Sequence, residues 1–176
     1  MICVFEGPNG AGKTTLIAEL VARRSTPSVV IHNGPSKTPL EDYALQLRQA
    51  LADDREGIST FIDRFNFGEQ IYPDLYGREG LIDEVQDDLI VQIGASLGVH
   101  WFVYCPTVKQ LAVGLSEKAE SYDFLILAKE RQAFIDLAVR HKVRWPANIH
   151  LYTDNETVAK RVENFERTMR YARDSS

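Results

Sequence analysis

The sequence is poor in the residues that mark several classes of protein. Its 176 residues hold only two cysteines, Cys3 and Cys105, each inside a short apolar run. Two such thiols supply neither a disulfide framework nor a metal-ligand spacing, so both are expected as buried free thiols. No apolar run approaches the roughly 18 residues that a membrane span requires. The first chemistry-bearing motif starts at residue 7, which leaves no room for a signal peptide and gives a cytoplasmic expectation. Positive charge is short as well, with 20 Lys and Arg against 25 Asp and Glu, for a formal charge of -5. A mildly acidic chain has no general attraction for polyanions, so no nucleic-acid partner is expected. The densest basic cluster, Arg140-His141-Lys142 with Arg144, reads as a helix end, where cations suit the C-terminal dipole. Repeats, low-complexity tracts and linkers are absent, and residues 1–176 are expected to form one domain.

What is present is an ordinary globular balance, with 44% hydrophobic and 26% charged residues. Short apolar runs at Ile2–Phe5, Ser28–His32, Ser59–Ile62, Val99–Tyr104 and Asn148–Tyr152 read as strands. Helical spacing lies between them. Leu16, Ile17, Leu20 and Val21 share a face, and Thr38-Pro39-Leu40-Glu41 predicts a capping box opening a helix through Leu51. Leu81, Ile82, Val85, Leu89, Ile93 and Leu97 predict a long helix, and further helices are expected from Thr107, over Leu125–Val139 and at the C-terminal end. Strands alternating with helices imply an α/β fold with a five-stranded parallel sheet covered on both faces, in three layers. Ligands in such sheets bind beyond the carboxyl ends of the strands, which makes Glu6, His32, Asp63 and Tyr104 neighbours at one rim.

Gly7-Pro8-Asn9-Gly10-Ala11-Gly12-Lys13-Thr14 matches G-x-x-x-x-G-K-[ST], between a strand and a helix. Glycines let the backbone curl so that its N–H groups face phosphate oxygens at the positive end of a helix. In this pattern Lys13 reaches the β- and γ-phosphates and the Thr14 hydroxyl binds Mg²⁺, which predicts ATP and Mg²⁺ as ligands held by Gly7, Asn9–Thr14 and Thr15. A second rim motif, Asp63-Arg64, supplies an acid for the metal or a sugar hydroxyl and a planar fork for a phosphate.

On Phe5-Glu6-Gly7-Pro8-Asn9-Gly10-Ala11-Gly12-Lys13-Thr14-Thr15, on Asp63-Arg64 and on the order of elements, the chain resembles the thymidylate kinase-like nucleoside monophosphate kinases of the P-loop NTPase superfamily. The resemblance implies transfer of the ATP γ-phosphoryl group to a (deoxy)nucleoside monophosphate such as dTMP. It implies that Arg64 holds the acceptor phosphate, that Asp63 orients the acceptor or the metal, and that Glu6 lies near the reacting oxygen. It also implies a homodimer as the assembly to be expected. Two departures are visible. Asn9 stands where the family carries Asp in contact with the acceptor sugar, and the lid segment, about 114–122, offers Lys118 where arginine is usual, with Arg131 further along. After Asp63-Arg64, aromatics such as Phe67 are candidates to stack on the acceptor base, Gln70 to read its edge and Arg78 to add a phosphate contact. A nucleoside acceptor, a modified nucleotide or DNA base, and a non-kinase nucleotide switch are the alternatives.

Overall fold

The computed structural model describes residues 1–118 and 120–174. Among the described residues the elements are β1 (Ile2–Glu6), α1 (Lys13–Ala22), β2 (Ser28–His32), α2 (Pro39–Arg55), β3 (Ser59–Asp63), α3 (Phe67–Tyr76), α4 (Glu84–Ser96), β4 (Val99–Tyr104), α5 (Val108–Ser116), α6 (Phe124–Arg144), β5 (Ile149–Tyr152) and α7 (Val158–Asp174). The strands form one all-parallel sheet in the order β2-β3-β1-β4-β5. Its register aligns Phe5 and His32 with Asp63, and Glu6 with Val103, so the strand ends named from the sequence do share one rim.

Alternation along the strands divides the core. Ile2, Val4, Ile62, Trp101 and Val103 fall in one apolar cluster with residues of α2, α4 and α6. Cys3, Phe5, Phe61, Phe102 and Tyr104 fall in another with residues of α1, α5 and α7. Phe5 stacks on Phe102 at 5.5 Å and on Phe165 of α7 at 5.9 Å, directly behind the loop that follows β1. Burying such rings contributes roughly 1.5–3 kcal/mol each, which anchors the strand whose end carries Glu6 and Gly7. Cys3 and Cys105 are buried and form no disulfide among the described residues, as expected, and burial pushes the Cys105 thiol up to about 12.

Three local expectations are corrected. Thr38 caps α2 without a side-chain hydrogen bond, because Ser36 Oγ instead accepts the Thr38 N–H at 2.9 Å and pairs with Asp42. The capping box lies at Asp83 and Gln86, with reciprocal bonds of 2.8 and 2.9 Å, and it starts α4 at Glu84, leaving Leu81 and Ile82 outside the helix. The apolar stripe expected to bury α4 faces outward: Val85 is 76% exposed, Leu89 52% and Ile93 44%. The sheet takes the opposite face, where Gly94 lies against the Trp101 ring and Asp87 accepts from Asn66 at 2.6 Å and contacts His141 at 2.8 Å. Arg140 pairs with Glu84 and Asp87, and Arg144 with Asp88, so these two arginines of the basic cluster are engaged by acids of α4.

Candidate active site

The loop between β1 and α1 turns on backbone that only glycine tolerates. Gly7 has φ 132°, and a Cβ there would meet the Tyr104 carbonyl oxygen at 2.2 Å. Gly10, at φ 80°, has the Leu111 carbonyl oxygen of α5 at 2.5 Å from the same position. Packed against β4 and α5 in this way, the loop leads into α1 through Gly12, which caps the helix in the left-handed conformation. The free N–H groups of the first helical turn therefore open into a cavity of about 710 Å³, whose lining includes Gly10 through Thr15.

Lys13 is 5% exposed, and its Nζ donates to the carbonyl oxygens of Gly7 at 2.7 Å and Pro8 at 3.0 Å. Burial, reinforced by the Arg64 charge, pulls its ammonium group down to about 8. Anionic oxygens placed beside the ammonium group would offset the burial that depresses it. Thr14 Oγ1 donates to Asp63 Oδ2 at 2.6 Å, and His32 Nδ1 lies 3.0 Å from the same oxygen. The other oxygen, Asp63 Oδ1, is buried with no hydrogen-bond partner among the described residues. An orphaned carboxylate oxygen beside a threonine hydroxyl suits a small hard cation that prefers oxygen ligands, so the residues fit Mg²⁺.

Arg64 follows Asp63 with φ 68°, a left-handed conformation that costs a non-glycine residue about 1–3 kcal/mol. Its backbone N–H is held by Phe5 O at 3.0 Å and its carbonyl accepts from Asn33 Nδ2 at 2.7 Å, which together over-determine the turn. Nη2 donates to Asn9 Oδ1 at 2.9 Å, while Nε is buried without a partner. A second cavity, of about 270 Å³, lies on the far side of this pair, with Tyr43, Glu69, Tyr72 and Arg78 among its other walls. Asn9 and Arg64 line both cavities.

Several residues fall elsewhere than expected. Glu6 is 1% exposed and lines neither cavity; Oε1 accepts the N–H groups of Phe65 at 2.8 Å and Phe67 at 3.1 Å. Burial pushes its carboxyl up to about 7 against the pull of Lys13. It is corrected from a group near the reacting oxygen to one that holds the Arg64 turn in place. Phe67 is fully buried and stacks on His141 at 5.3 Å, because α3 starts there and its first side chain points into the core; it cannot stack on an acceptor base. Gln70 Nε2 donates to the Ile82 carbonyl at 2.5 Å, which ties its amide to the loop before α4 instead of a ligand edge. Arg131 Nε is bonded to the Cys105 and Pro106 carbonyls at 3.2 and 2.7 Å. Arg78 does reach the smaller cavity and sits over the Tyr72 ring at 5.6 Å. Lys118 is exposed and lines the larger one; Ala119, within the expected lid, lies outside the described residues.

Sequence reasoning also missed two residues. Glu130 of α6 is buried and accepts from Asn9 N at 3.0 Å, Tyr72 Oη at 3.0 Å and Tyr76 Oη at 3.4 Å, so it ties the loop to α3. Arg161 of α7, 4% exposed, donates to Ala11 O at 2.6 Å and lies over the Tyr104 ring at 5.3 Å. Each comes from more than 100 positions along the chain. A charge in a helical segment with a buried period was the only available signal.

No family model matches the chain, and no curated protein matches it in sequence. Solved structures do match over nearly its full length. One is the YorR protein of Bacillus subtilis in complex with phosphorylated GDP, at TM-score 0.72 and 14% identity, covering 97% of this chain and 96% of that one. Another is the deoxyadenosine kinase of M. mycoides with bound dATP, at TM-score 0.62 and 10% identity, covering 97% and 100%; with bound dCTP the TM-score is 0.59. At these identities the likeness establishes architecture, and with the parallel sheet and the loop it gives this chain a P-loop kinase-like α/β fold.

Proposed function

We propose that the protein is an ATP- and Mg²⁺-dependent phosphotransferase that phosphorylates a (deoxy)nucleoside monophosphate to the diphosphate, dTMP being one member of that class. The observation that carries this reading is that two cavities meet at one pair of side chains, Asn9 and Arg64. The larger is floored by the phosphate loop and takes the donor. The smaller takes the acceptor. Phosphoryl transfer requires in-line positioning and charge stabilisation more than covalent chemistry, and a shared arginine serves both. The split of the core into two clusters supports helices on both faces, hence the expected three layers in one domain.

The loop amides and Lys13 hold the β- and γ-phosphates, and Thr14 with Asp63 holds the metal, which when bound neutralises charge on the β- and γ-oxygens. The unpartnered Nε and the fork of Arg64 grip the acceptor phosphate, and Arg78 adds a second cation to that cavity. Lys118, on the wall of the donor cavity, supplies a further cation there. A monophosphate oxygen is already anionic and needs no general base. A nucleoside hydroxyl would need one, and both rim carboxylates have other roles, Glu6 held by two amides and Asp63 bonded through Oδ2 to Thr14 and His32 with Oδ1 left for the metal. The two Asp-x-x-Gly stretches, Asp54–Gly57 and Asp74–Gly77, close α2 and α3 and follow no strand's carboxyl end, which disfavours a switch. Nothing described is long and apolar enough to be a membrane-spanning helix. Measuring ADP release with nucleosides, monophosphates and oligonucleotides tests the proposal. Stimulation by monophosphates is expected, and stimulation by nucleosides alone, or by none, rejects it.

A further inference from the structure

The smaller cavity carries a negative charge as well as positive ones. Glu69, in the first turn of α3, lines it with a side chain only 11% exposed. Its carboxylate takes no hydrogen bond from any described residue; Arg78 Nη2, at 4.0 Å, is beyond bonding distance. A mostly buried carboxylate without a donor costs free energy unless a ligand supplies one. Glu69 lines the acceptor cavity alone, whereas Asn9 and Arg64 also border the phosphate loop. The acceptor phosphate must sit at that shared end, and a carboxylate repels it. Glu69 therefore meets the other end of the acceptor, the base. Gln70, the neighbouring residue with amide chemistry, is occupied by Ile82 O.

A carboxylate is acceptor-only and has two oxygens in a plane, so it selects an edge with two adjacent donors. Uracil and thymine offer one N–H between two carbonyls. Adenine and cytosine offer an amine beside a ring nitrogen that is itself an acceptor, which the second oxygen would repel. Guanine alone presents a ring N–H and an exocyclic amine side by side. We infer that Glu69 reads the Watson–Crick edge of a guanine, and that the acceptor is a guanine nucleoside monophosphate. This rests on the phosphotransfer reading and narrows it.

The test is calorimetric titration of the full chain with GMP, dGMP, AMP, dAMP, CMP and dTMP, with ADP formation followed on the same panel. Guanine nucleotides are expected to bind at least about 10-fold tighter than the rest. Glu69→Gln, which turns one acceptor into a donor, should lose roughly 10- to 100-fold for guanine while narrowing the gap to the other bases. Glu69→Asp, which keeps the charge but shortens the reach, should fall between. Tightest binding of another base, or guanine affinity unmoved by Glu69→Gln in a variant that melts normally, overturns the assignment. If another base is bound and phosphorylated, Glu69 alone has been misread. If no monophosphate binds or is phosphorylated, the phosphotransfer reading falls with it.

Discussion

Arg64 is the residue on which the two cavities converge, and replacing it separates catalysis from stability. The guanidinium is fixed by Asn9 Oδ1 at 2.9 Å, while its buried Nε lacks a partner, so donors are held ready for an anion. A hydrogen bond from a charged donor contributes about 1.5–3 kcal/mol. Two such bonds to the acceptor phosphate give about 3–6 kcal/mol, or roughly 10²- to 10⁴-fold in kcat/KM at 1.4 kcal/mol per decade. Arg64→Gly should show that full loss. Arg64→Lys retains the charge without the planar fork and should lose about 10- to 100-fold. Stability should barely move in Arg64→Gly. Glycine relieves the roughly 1–3 kcal/mol of a φ of 68°, and unfolded-chain entropy together with the lost bond to Asn9 gives back a similar amount. Steady-state ADP formation with saturating ATP and varied acceptor, alongside thermal melts, measures both. Rates within threefold of the parent for Arg64→Gly would refute the reasoning, since no other side chain with a guanidinium lines both cavities among the described residues.

Further outcomes follow from Lys13, Asp63 and His150. With the Lys13 ammonium pulled down to about 8 from 10.5, the ligand-free protein carries a penalty fully present below about pH 8 and relieved as pH rises towards 10.5. Lys13→Met should therefore melt no lower than the parent at pH 7, yet abolish turnover and the melting shift caused by Mg·ATP; a retained shift contradicts the loop assignment. Asp63→Asn removes the orphaned anionic oxygen and should raise the Mg²⁺ concentration for half-maximal rate by about 10-fold or more, read from a metal titration of activity. Burial, with His100 at 3.2 Å, pushes the His150 imidazole down from 6.5 to about 3. The unfolded chain then binds the extra proton first, so stability is unaffected above pH 6.5 and falls below it, by about 1.4 kcal/mol at pH 5.5. Melts of His150→Gln between pH 7.5 and 5 should show a shallower decline; an equal slope would place the acid sensitivity elsewhere.

The sequence by itself determined the backbone framework and the loop end of the candidate site. β2 and β4 have the predicted bounds, and β1, β3 and β5 differ by one residue, because parallel strands are short β-branched and aromatic runs whose ends are set by polar residues. The loop from Gly7 to Thr14 was equally legible, since its contacts are made by backbone whose shape glycine spacing dictates. Tertiary structure alone decided which side chains face a ligand. In α3, Phe67 turns into the core and Gln70 to Ile82, while Glu69 between them lines the cavity, a matter of helical phase that composition does not carry. In α4 two faces competed, and the sheet took Asp87, Ile90, Val91 and Gly94 over the more apolar stripe because Trp101 needs the space beside Gly94. Glu130 and Arg161 reach the loop only through packing between distant segments, and periodicity, being a local property, records that a face is buried without recording against what.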